Sequence, residues 1–216
     1  MMSTKIYLDY NANAPLHPDA WTVMNPLLCA PNAAYNASAV HGFGREGRRI
    51  VEQARTQISQ LVGAERNQII FNSGATEGNN TVLRHFADRF PDDIILVSAI
   101  EHPSILELQN VLPNIRIIPV DNQGLIDISA LEILLKEHSV SLVSCMIANN
   151  ESGVIQDVSE ISKIAHQNNA LFHCDATQAV GRIPVNMQAS GIDFLTLSSH
   201  KIGGPQGVGA LALGLC

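Results

Sequence analysis

The sequence has little of what marks a membrane protein, a nucleic-acid-binding protein or a secreted domain. No apolar run in its 216 residues approaches the roughly 18 needed to cross a bilayer. Residues 1–10 have neither the basic nor the apolar region of a secretory signal. Charged residues make up only 15% of the chain, and the net charge of -7 gives no basic face for nucleic acid. These features predict a cytoplasmic protein that acts on small molecules and binds neither membrane nor nucleic acid.

Cysteine is also scarce, with four residues that form no CxxC pair and no spacing typical of a zinc site or a disulfide framework. Reduced thiols are therefore expected, and no metal is predicted. Cys145 and Cys174 lie within apolar runs, which predicts buried core thiols. Cys29 falls near the end of a predicted helix, and Cys216 is the last residue of the sequence.

The sequence does have a regular alternation of short apolar runs and amphipathic segments, and 46% of its residues are hydrophobic. Apolar residues at helical spacing from Ile50 to Val62 predict a helix that ends at Gly63. Ser129 and Asp157, each three residues before a glutamate, predict helix N-caps in capping boxes. Apolar runs predict seven strands, at residues 69–71, 94–97, 115–120, 142–147, 170–172, 194–197 and 208–213. The alternation predicts an α/β fold with a mostly parallel seven-stranded sheet flanked by helices.

Ligands of such sheets bind outside the carboxyl ends of the strands, so the polar residues that follow each apolar run are candidates for a site. The run 69–71 leads through Ser73 and Gly74 to Ala75 and Thr76, where a helix is predicted. A strand, a small-residue turn and a helix N-terminus form an anion site, because free N–H groups and the helix dipole converge there. Taken alone, the segment is equally consistent with an ordinary turn and a threonine cap.

Three further strand ends carry polar residues. His102 follows the run 94–97, although a lone histidine there is more often structural than functional. Asn150 follows the run 142–147, within a segment that is also an ordinary turn pattern. Asp175 ends an apolar run, and a buried carboxylate needs a cation or hydrogen-bond donors as its partner. A protonated pyridine nitrogen is one cation that fits this position.

Lys201 follows the run 194–197 and the hydroxyl residues Ser198 and Ser199. A lysine at the end of an apolar strand is suited to form a Schiff base, because its pKa falls readily on burial. The alternative is a surface lysine in a glycine-rich hairpin. The pattern Gly207-x-Gly209-x-x-Ala212 is a weak dinucleotide fingerprint that requires a following helix and an acidic residue, and it is rejected because the sequence shows neither.

Ser198-Ser199-His200-Lys201, followed by Gly-Gly-Pro-x-Gly-x-Gly-Ala-Leu at 203–211, resembles the lysine motif of class V aminotransferases. Other segments, in the same order along nearly the whole chain, resemble cysteine desulfurases of the NifS/IscS type: residues 9–12, 36–41, 73–77, 101–102, 149–153 and 175–178. Asn13-Ala14-Pro15 departs from this pattern, since relatives often have Thr-Thr-Pro there. The resemblance implies the large domain of the fold type I transferases that depend on pyridoxal 5'-phosphate.

The resemblance also implies a role for each motif residue. Lys201 carries the cofactor covalently, His102 stacks on its ring, and Asp175 pairs with the pyridinium nitrogen. The resemblance further places Gln178 at the phenolic oxygen and Asn150 beside ring and substrate, and it assigns the phosphate to Ala75, Thr76, Ser198 and His200. Lys201 and His102 are the implied catalytic residues.

The implied activity is release of sulfur from L-cysteine as a protein-bound persulfide, with L-alanine as the other product. A sulfur-acceptor or scaffold protein, iron-sulfur cluster assembly and a homodimer belong to the same expectation. Residues 1–15 are expected to be an N-terminal segment and 16–216 an incomplete cofactor-binding domain. The persulfide cysteine and the arginine for the substrate carboxylate would then lie in a C-terminal small domain. The alternatives are a non-catalytic remnant, half of a split enzyme, or a relative that acts on another amino acid.

Overall fold

The computed structural model describes residues 6–30 and 35–214, and a seven-stranded sheet lies at its centre. The strands are β1 (Ile69–Asn72), β2 (Ile94–Ser98), β3 (Ile115–Ile118), β4 (Val140–Ser144), β5 (Leu171–Asp175), β6 (Phe194–Ser198) and β7 (Gly209–Leu213). Their order is β1-β7-β6-β5-β4-β2-β3. β7 is antiparallel to both of its neighbours, and all other pairs are parallel. The predicted α/β fold with a mostly parallel seven-stranded sheet is confirmed.

Helices cover both faces of this sheet. They are α1 (Pro18–Leu28), α2 (Gly42–Val62), α3 (Ala75–Arg89), α4 (Pro103–Leu106), α5 (Ile128–Glu137) and α6 (Val158–Gln167). A short 3-10 turn, Ser199–Lys201, follows β6 directly. Within the described residues, no helix is both long and apolar enough to cross a membrane.

Local sequence determines where several helices begin and end. α2 ends at Gly63, which has a φ of 67° and so adopts the left-handed conformation common after a helix. Asp157 caps α6 by accepting a hydrogen bond from the Glu160 N–H at 3.0 Å, as predicted. The cap predicted at Ser129 is wrong, because Asp127 accepts the Ala130 N–H at 3.0 Å and Ser129 lies inside α5.

The sheet separates two hydrophobic clusters. One lies under α5 and α6 and includes Phe172, Leu195 and Ile161, all nearly inaccessible to solvent. The other lies under α3 and α4 and includes Leu83 and Ile95. Burial of each such side chain contributes roughly 1.5–3 kcal/mol. Apolar contacts on both faces therefore hold the strand ends, and the polar residues attached to them, in fixed positions.

Six strands end at the same edge of the sheet. β2, β3, β4, β5 and β6 run parallel. β1 has the same direction, because it is antiparallel to β7, which is itself antiparallel to β6. The residues that follow these strands, together with the N-terminus of α3, therefore converge at one edge.

Candidate active site

A cavity of about 480 Å³ opens at this edge of the sheet, a volume within the range of about 300–1,000 Å³ typical of small-molecule sites. All the residues singled out from the sequence line it: Ala75, Thr76, His102, Asn150, Asp175, Gln178, Ser198, His200 and Lys201. Asp9, Asn11 and Ala12 of the N-terminal segment also line the cavity, although sequence reasoning gave them no role. The topology thus brings together residues that lie more than 120 positions apart in the chain.

Asp175 is the last residue of β5, and its carboxylate is buried at the floor of the cavity. Oδ1 accepts the Thr177 N–H at 2.9 Å, and Oδ2 accepts the Asn79 side-chain amide at 2.8 Å. Both donors are neutral, and none of the ion pairs among the described residues involves Asp175. A buried negative charge without a cationic partner is costly, so the cavity offers a favourable position to a ligand cation.

Asn79, in the second turn of α3, is a site residue that sequence reasoning missed. It is fully buried, and its amide oxygen accepts the Thr196 hydroxyl at 2.5 Å. Its amide nitrogen donates to Asp175 and also to the Ser104 hydroxyl at 3.1 Å. Asn79 therefore fixes the orientation of the Asp175 carboxylate. The asparagine lies within a helix and not at a strand end, so the rule that identified the other residues did not find it.

A strand, a small-residue turn and a helix N-terminus follow one another from β1 to α3, which is the arrangement predicted to form an anion site. Gly74 precedes the helix without a side-chain cap, and Ser198 Oγ accepts the Ala75 N–H at 2.7 Å across 123 positions. A Cβ on Gly209 would lie 2.5 Å from the Gly74 Cα, so only glycine allows this close approach. The alternative of an ordinary turn with a threonine cap does not describe this helix start, because a hydroxyl from β6 accepts its N–H. A second cavity of about 370 Å³ adjoins this helix start and shares Thr76 and His200 with the first.

Lys201 ends the turn after β6, with its side chain about half-buried at the cavity wall. Its ammonium donates to the carbonyls of Asn11 at 2.6 Å and Ala12 at 2.8 Å. Partial burial and the nearby Arg182 cation lower the pKa of Lys201, while the carboxylates of Asp175 and Asp9 oppose this effect. A larger share of the amine is therefore unprotonated at a given pH than for a free lysine.

His102 is the N-cap of α4, and its imidazole lies at the opposite side of the cavity edge, after β2. Nδ1 accepts the Ser104 N–H at 3.0 Å, so in the neutral ring the proton is on Nε2. This hydrogen bond fixes the plane of an otherwise exposed ring. Partial burial and the Lys201 charge lower the pKa of His200, on the facing wall, which favours its neutral form.

Glu101 lies directly behind His102 but does not line the cavity. Its Oε1 accepts the Ser98 hydroxyl at 2.8 Å and the Met146 N–H at 2.6 Å. Within the described chain, Oε2 is buried and receives no hydrogen bond. Burial, reinforced by the charge of Asp175, raises the pKa of Glu101 to about 8. The carboxyl group is therefore mostly protonated at neutral pH and joins β2 to the end of β4.

The cysteines among the described residues do not lie at the cavity. Cys145 and Cys174 are fully buried, as predicted, and burial raises the pKa of both thiols well above the ordinary value. Neither is a reactive thiolate. Cys29 is exposed at the end of α1, and Cys216 lies outside the described residues. The part of the chain that the structure describes contains no cluster of side chains able to hold a metal ion.

The family described as Aminotransferase class-V matches residues 6–214.

The chain belongs to the class V aminotransferase family.

Curated relatives that resemble it are named cysteine desulfurase, and similar solved structures include NifS-like proteins. The cysteine desulfurase IscS of Dictyoglomus turgidum is 41% identical over 97% of this chain, which corresponds to 54% of that relative. A NifS-like protein from Rickettsia africae has 43% identity and a TM-score of 0.90 over 96% of this chain and 57% of its own. A structure of SspA in complex with cysteine has 28% identity and a TM-score of 0.91, over 97% and 61% of the two chains.

These similarities confirm the resemblance to NifS/IscS proteins and the fold type I architecture predicted from the sequence. The chain spans about half the length of the curated relatives it matches. The class V aminotransferase fold around the cavity is therefore shared with these proteins over nearly all of this chain.

Proposed function

We propose that this class V aminotransferase chain binds pyridoxal 5'-phosphate in the 480 Å³ cavity, with Lys201 as the point of attachment, and that the protein is a cysteine desulfurase. The observation that carries the proposal is the buried Asp175 carboxylate, which faces the cavity with only neutral donors as its own partners. A pyridinium N–H supplies the cation that this position favours. The names of the relatives support L-cysteine as substrate.

The donor set around the cavity fits each part of this cofactor. Asp175 would hold the ring nitrogen, and His102 would stack on the ring from the side of α4. Gln178 would donate to the phenolic oxygen. The start of α3 and the end of β6 would hold the phosphate through a helix N-terminus, hydroxyls and an imidazole, supplied by Ala75, Thr76, Ser198 and His200. Asn150 would lie beside ring and substrate.

Pyridoxal phosphate supplies an electron sink that stabilises negative charge at the substrate Cα. Lys201 would move the proton at that carbon, and partial burial lowers the pKa of its amine. Asp175 would pair with the ring nitrogen, and Asn79 keeps Asp175 in place. His102, with its ring plane fixed by Ser104, would limit the position of ring and substrate.

Sulfur transfer requires a reactive thiol, and neither of the buried cysteines can serve. Relatives are about twice as long as this chain, so we place the receiving thiol and the substrate-carboxylate arginine in sequence that corresponds to their second half. The products would be L-alanine and a protein persulfide passed to a sulfur-acceptor or scaffold protein, and the active form would be a homodimer. Cytoplasmic location, and a domain that begins at residue 16, stay predictions.

The half-length of the chain favours a second candidate, which is cofactor binding without turnover. The two are separated by mixing the 216-residue chain with pyridoxal phosphate and L-cysteine, with and without a second chain that corresponds to the C-terminal half of the relatives, and by measuring alanine and sulfide in the presence of a thiol reductant. Desulfurase activity predicts both products in equal amounts when the second chain is present, and neither from Lys201→Ala. A visible cofactor band without either product supports the binding-only alternative. Absence of any cofactor binding contradicts both candidates.

A further inference from the structure

Arg182 lies in the segment that follows β5, four residues beyond Gln178, and its exposed side chain reaches the rim of the cavity. The sequence alone shows a surface cation there, without a motif. In the structure its guanidinium donates four hydrogen bonds to three different parts of the chain. The acceptors are Asn11 Oδ1 at 2.8 Å, Gln178 Oε1 at 2.6 Å, the Tyr10 carbonyl at 3.4 Å and the Lys201 carbonyl at 3.3 Å.

Residues 9–14, which we term the strap, form neither helix nor strand, yet they cross the cavity beside Lys201. Other contacts with the rest of the fold hold the strap besides Arg182. Asn11 Nδ2 donates to the Asn150 carbonyl at 3.0 Å, and the Ala14 N–H donates to the His200 carbonyl at 2.9 Å. The side-chain amides of Gln178 and Gln206 donate to the strap at 2.9 and 3.4 Å. The Lys201 ammonium donates to two strap carbonyls.

Lys201 cannot keep these two carbonyl contacts when its amine turns toward a ligand in the cavity. The strap then loses two charge-assisted hydrogen bonds at its centre. Arg182 contacts the strap from outside the cavity, at Tyr10 and Asn11, so its contacts do not compete with a ligand.

Arg182 also determines which end of the Gln178 amide is free to donate. The guanidinium occupies Oε1 at 2.6 Å, so Nε2 points the other way, where it donates to the Asn11 carbonyl at 2.9 Å. An amide held in this sense presents N–H groups to the cavity, which suits an acceptor oxygen of a ligand. Without the guanidinium, only the Asn11 carbonyl holds the amide in this orientation.

We propose that Arg182 is a positioning residue that holds the strap across Lys201 and orients the Gln178 amide. The inference rests on the proposed function only for the identity of the ligand that Lys201 and Gln178 contact. The hydrogen bonds themselves are those of the chain without a ligand. The planar guanidinium of arginine, with several N–H donors in a fixed fork, is required because the four acceptors lie in different directions. A lysine has a shorter side chain and a single ammonium, which cannot reach all four acceptors together.

The primary test measures amide hydrogen exchange of the strap without cofactor, in the 216-residue chain and in Arg182→Gln. Protected N–H groups are available at Ala12, Asn13 and Ala14. Loss of the fork is expected to speed their exchange at least about fivefold, while α6 exchanges as before. Arg84→Gln is the matched control, since Arg84 donates to Asn80 within α3 and not to the strap. Unchanged exchange of the strap in Arg182→Gln would overturn the proposal.

Arg182→Lys and a cofactor titration complete the test. Arg182→Lys keeps the charge without the fork, so strap exchange should stay faster than in the unsubstituted chain, and full protection would overturn the proposal. Pyridoxal phosphate should bind at least about threefold more weakly to Arg182→Gln than to Arg84→Gln, because the strap and the Gln178 amide are no longer held in the orientation that suits the ligand. If the unsubstituted chain binds no pyridoxal phosphate, the proposed function fails, and the exchange result still decides the role of Arg182.

The charge of Arg182 provides a further readout, the pH dependence of Lys201 modification by an amine reagent. The charged groups that face Lys201 are Arg182, Asp175 and Asp9, with His200 next to it in the chain. Arg182→Gln removes a cation that lowers the Lys201 pKa and leaves both carboxylates, which raise it. The pH at which modification of Lys201 is half-maximal should therefore be higher in Arg182→Gln and unchanged in Arg182→Lys. A midpoint that does not move in Arg182→Gln would show that the cation does not act on Lys201.

Discussion

The ends of β5 and β2 each carry one buried carboxyl group, and the two differ in every surrounding feature. Asp175 lines the cavity, and both of its oxygens accept hydrogen bonds from neutral donors. Glu101 lies behind the cavity, with one oxygen bonded twice and the other without a partner in the described chain. Burial raises the pKa of Glu101 to about 8, and the charge of Asp175 adds to this effect.

The difference shows how one sheet edge separates a ligand-facing anion from a structural acid. Asp175 is kept in place by Asn79 and faces open space, so its charge is available to a ligand. Glu101 is neutral through most of the physiological pH range and serves to join two strands. Asp175 should therefore control ligand affinity, and Glu101 should control the pH dependence of the free energy of unfolding.

The largest effect is expected from Asp175→Asn, which removes the charge while it keeps the shape. Hydrogen bonds to charged groups contribute about 1.5–3 kcal/mol, so pyridoxal phosphate should bind about 10- to 100-fold more weakly. An absorbance titration measures the dissociation constant. Glu101→Gln is the matched control, because this carboxyl group does not line the cavity, and its affinity should change less than about threefold. Equal losses in both variants would contradict the distinction between the two groups.

The second prediction concerns Glu101 and the pH dependence of stability. The pKa of Glu101 is higher in the folded chain, about 8, than its ordinary value of 4.5. The folded state therefore holds a proton that the unfolded state has released, and stability falls as pH rises between these values. Burial lowers the pKa of His173 to about 4, from an ordinary value of 6.5, so its protonation lowers stability only as pH falls below 6.5.

From about pH 7 to 8 a histidine of ordinary pKa is mostly deprotonated in the unfolded state, so Glu101 contributes more than His173 to the pH dependence there. Urea unfolding there should show stability falling by up to about 1.4 kcal/mol per pH unit from this group. Glu101→Gln should remove that slope, since an amide does not titrate. Persistence of the full slope in the variant would assign the pH dependence to another group and contradict the environment described for Glu101.

A smaller effect is expected from Ser198→Ala at the start of α3. The Ala75 N–H would lose its acceptor from β6, and loss of a comparable helix-capping hydroxyl costs about 1 kcal/mol. Urea unfolding measures the change. Ser159→Ala, at an exposed position near the start of α6, should stay within about 0.5 kcal/mol of the unsubstituted chain. If both variants are equally stable, Ser198 does not anchor the helix start.

Much of this edge could be predicted because its residues follow strands directly. Each strand has an apolar run of the right length, and parallel strands place their carboxyl ends together, so Asp175, His102 and Lys201 were located from local pattern alone. The N-cap at Asp157 followed from local chemistry in the same way. The error at Ser129 arose because Asp127, two residues earlier, also has a capping side chain and lies before the helix.

The supporting residues could not be predicted in this way. Asn79 lies inside a helix, and only the crossing of α3 over β5 and β6 makes it a partner of Asp175. In the sequence Arg182 looks like any surface cation, because its partner Asn11 in the strap lies 171 positions away and only the fold brings the two together. The raised pKa of Glu101 depends on how completely β2 and β4 bury it. These features arise from contacts across the fold, which spacing along the chain does not specify.

The central claim is that Lys201 carries pyridoxal phosphate in this cavity. Borohydride reduction of the cofactor-loaded chain, followed by peptide mass spectrometry, makes such an attachment permanent and locates it. One phosphopyridoxyl group is expected on Lys201 and none on the exposed Lys136 or Lys163. A label spread over several lysines, or the same label in Lys201→Ala, would contradict it.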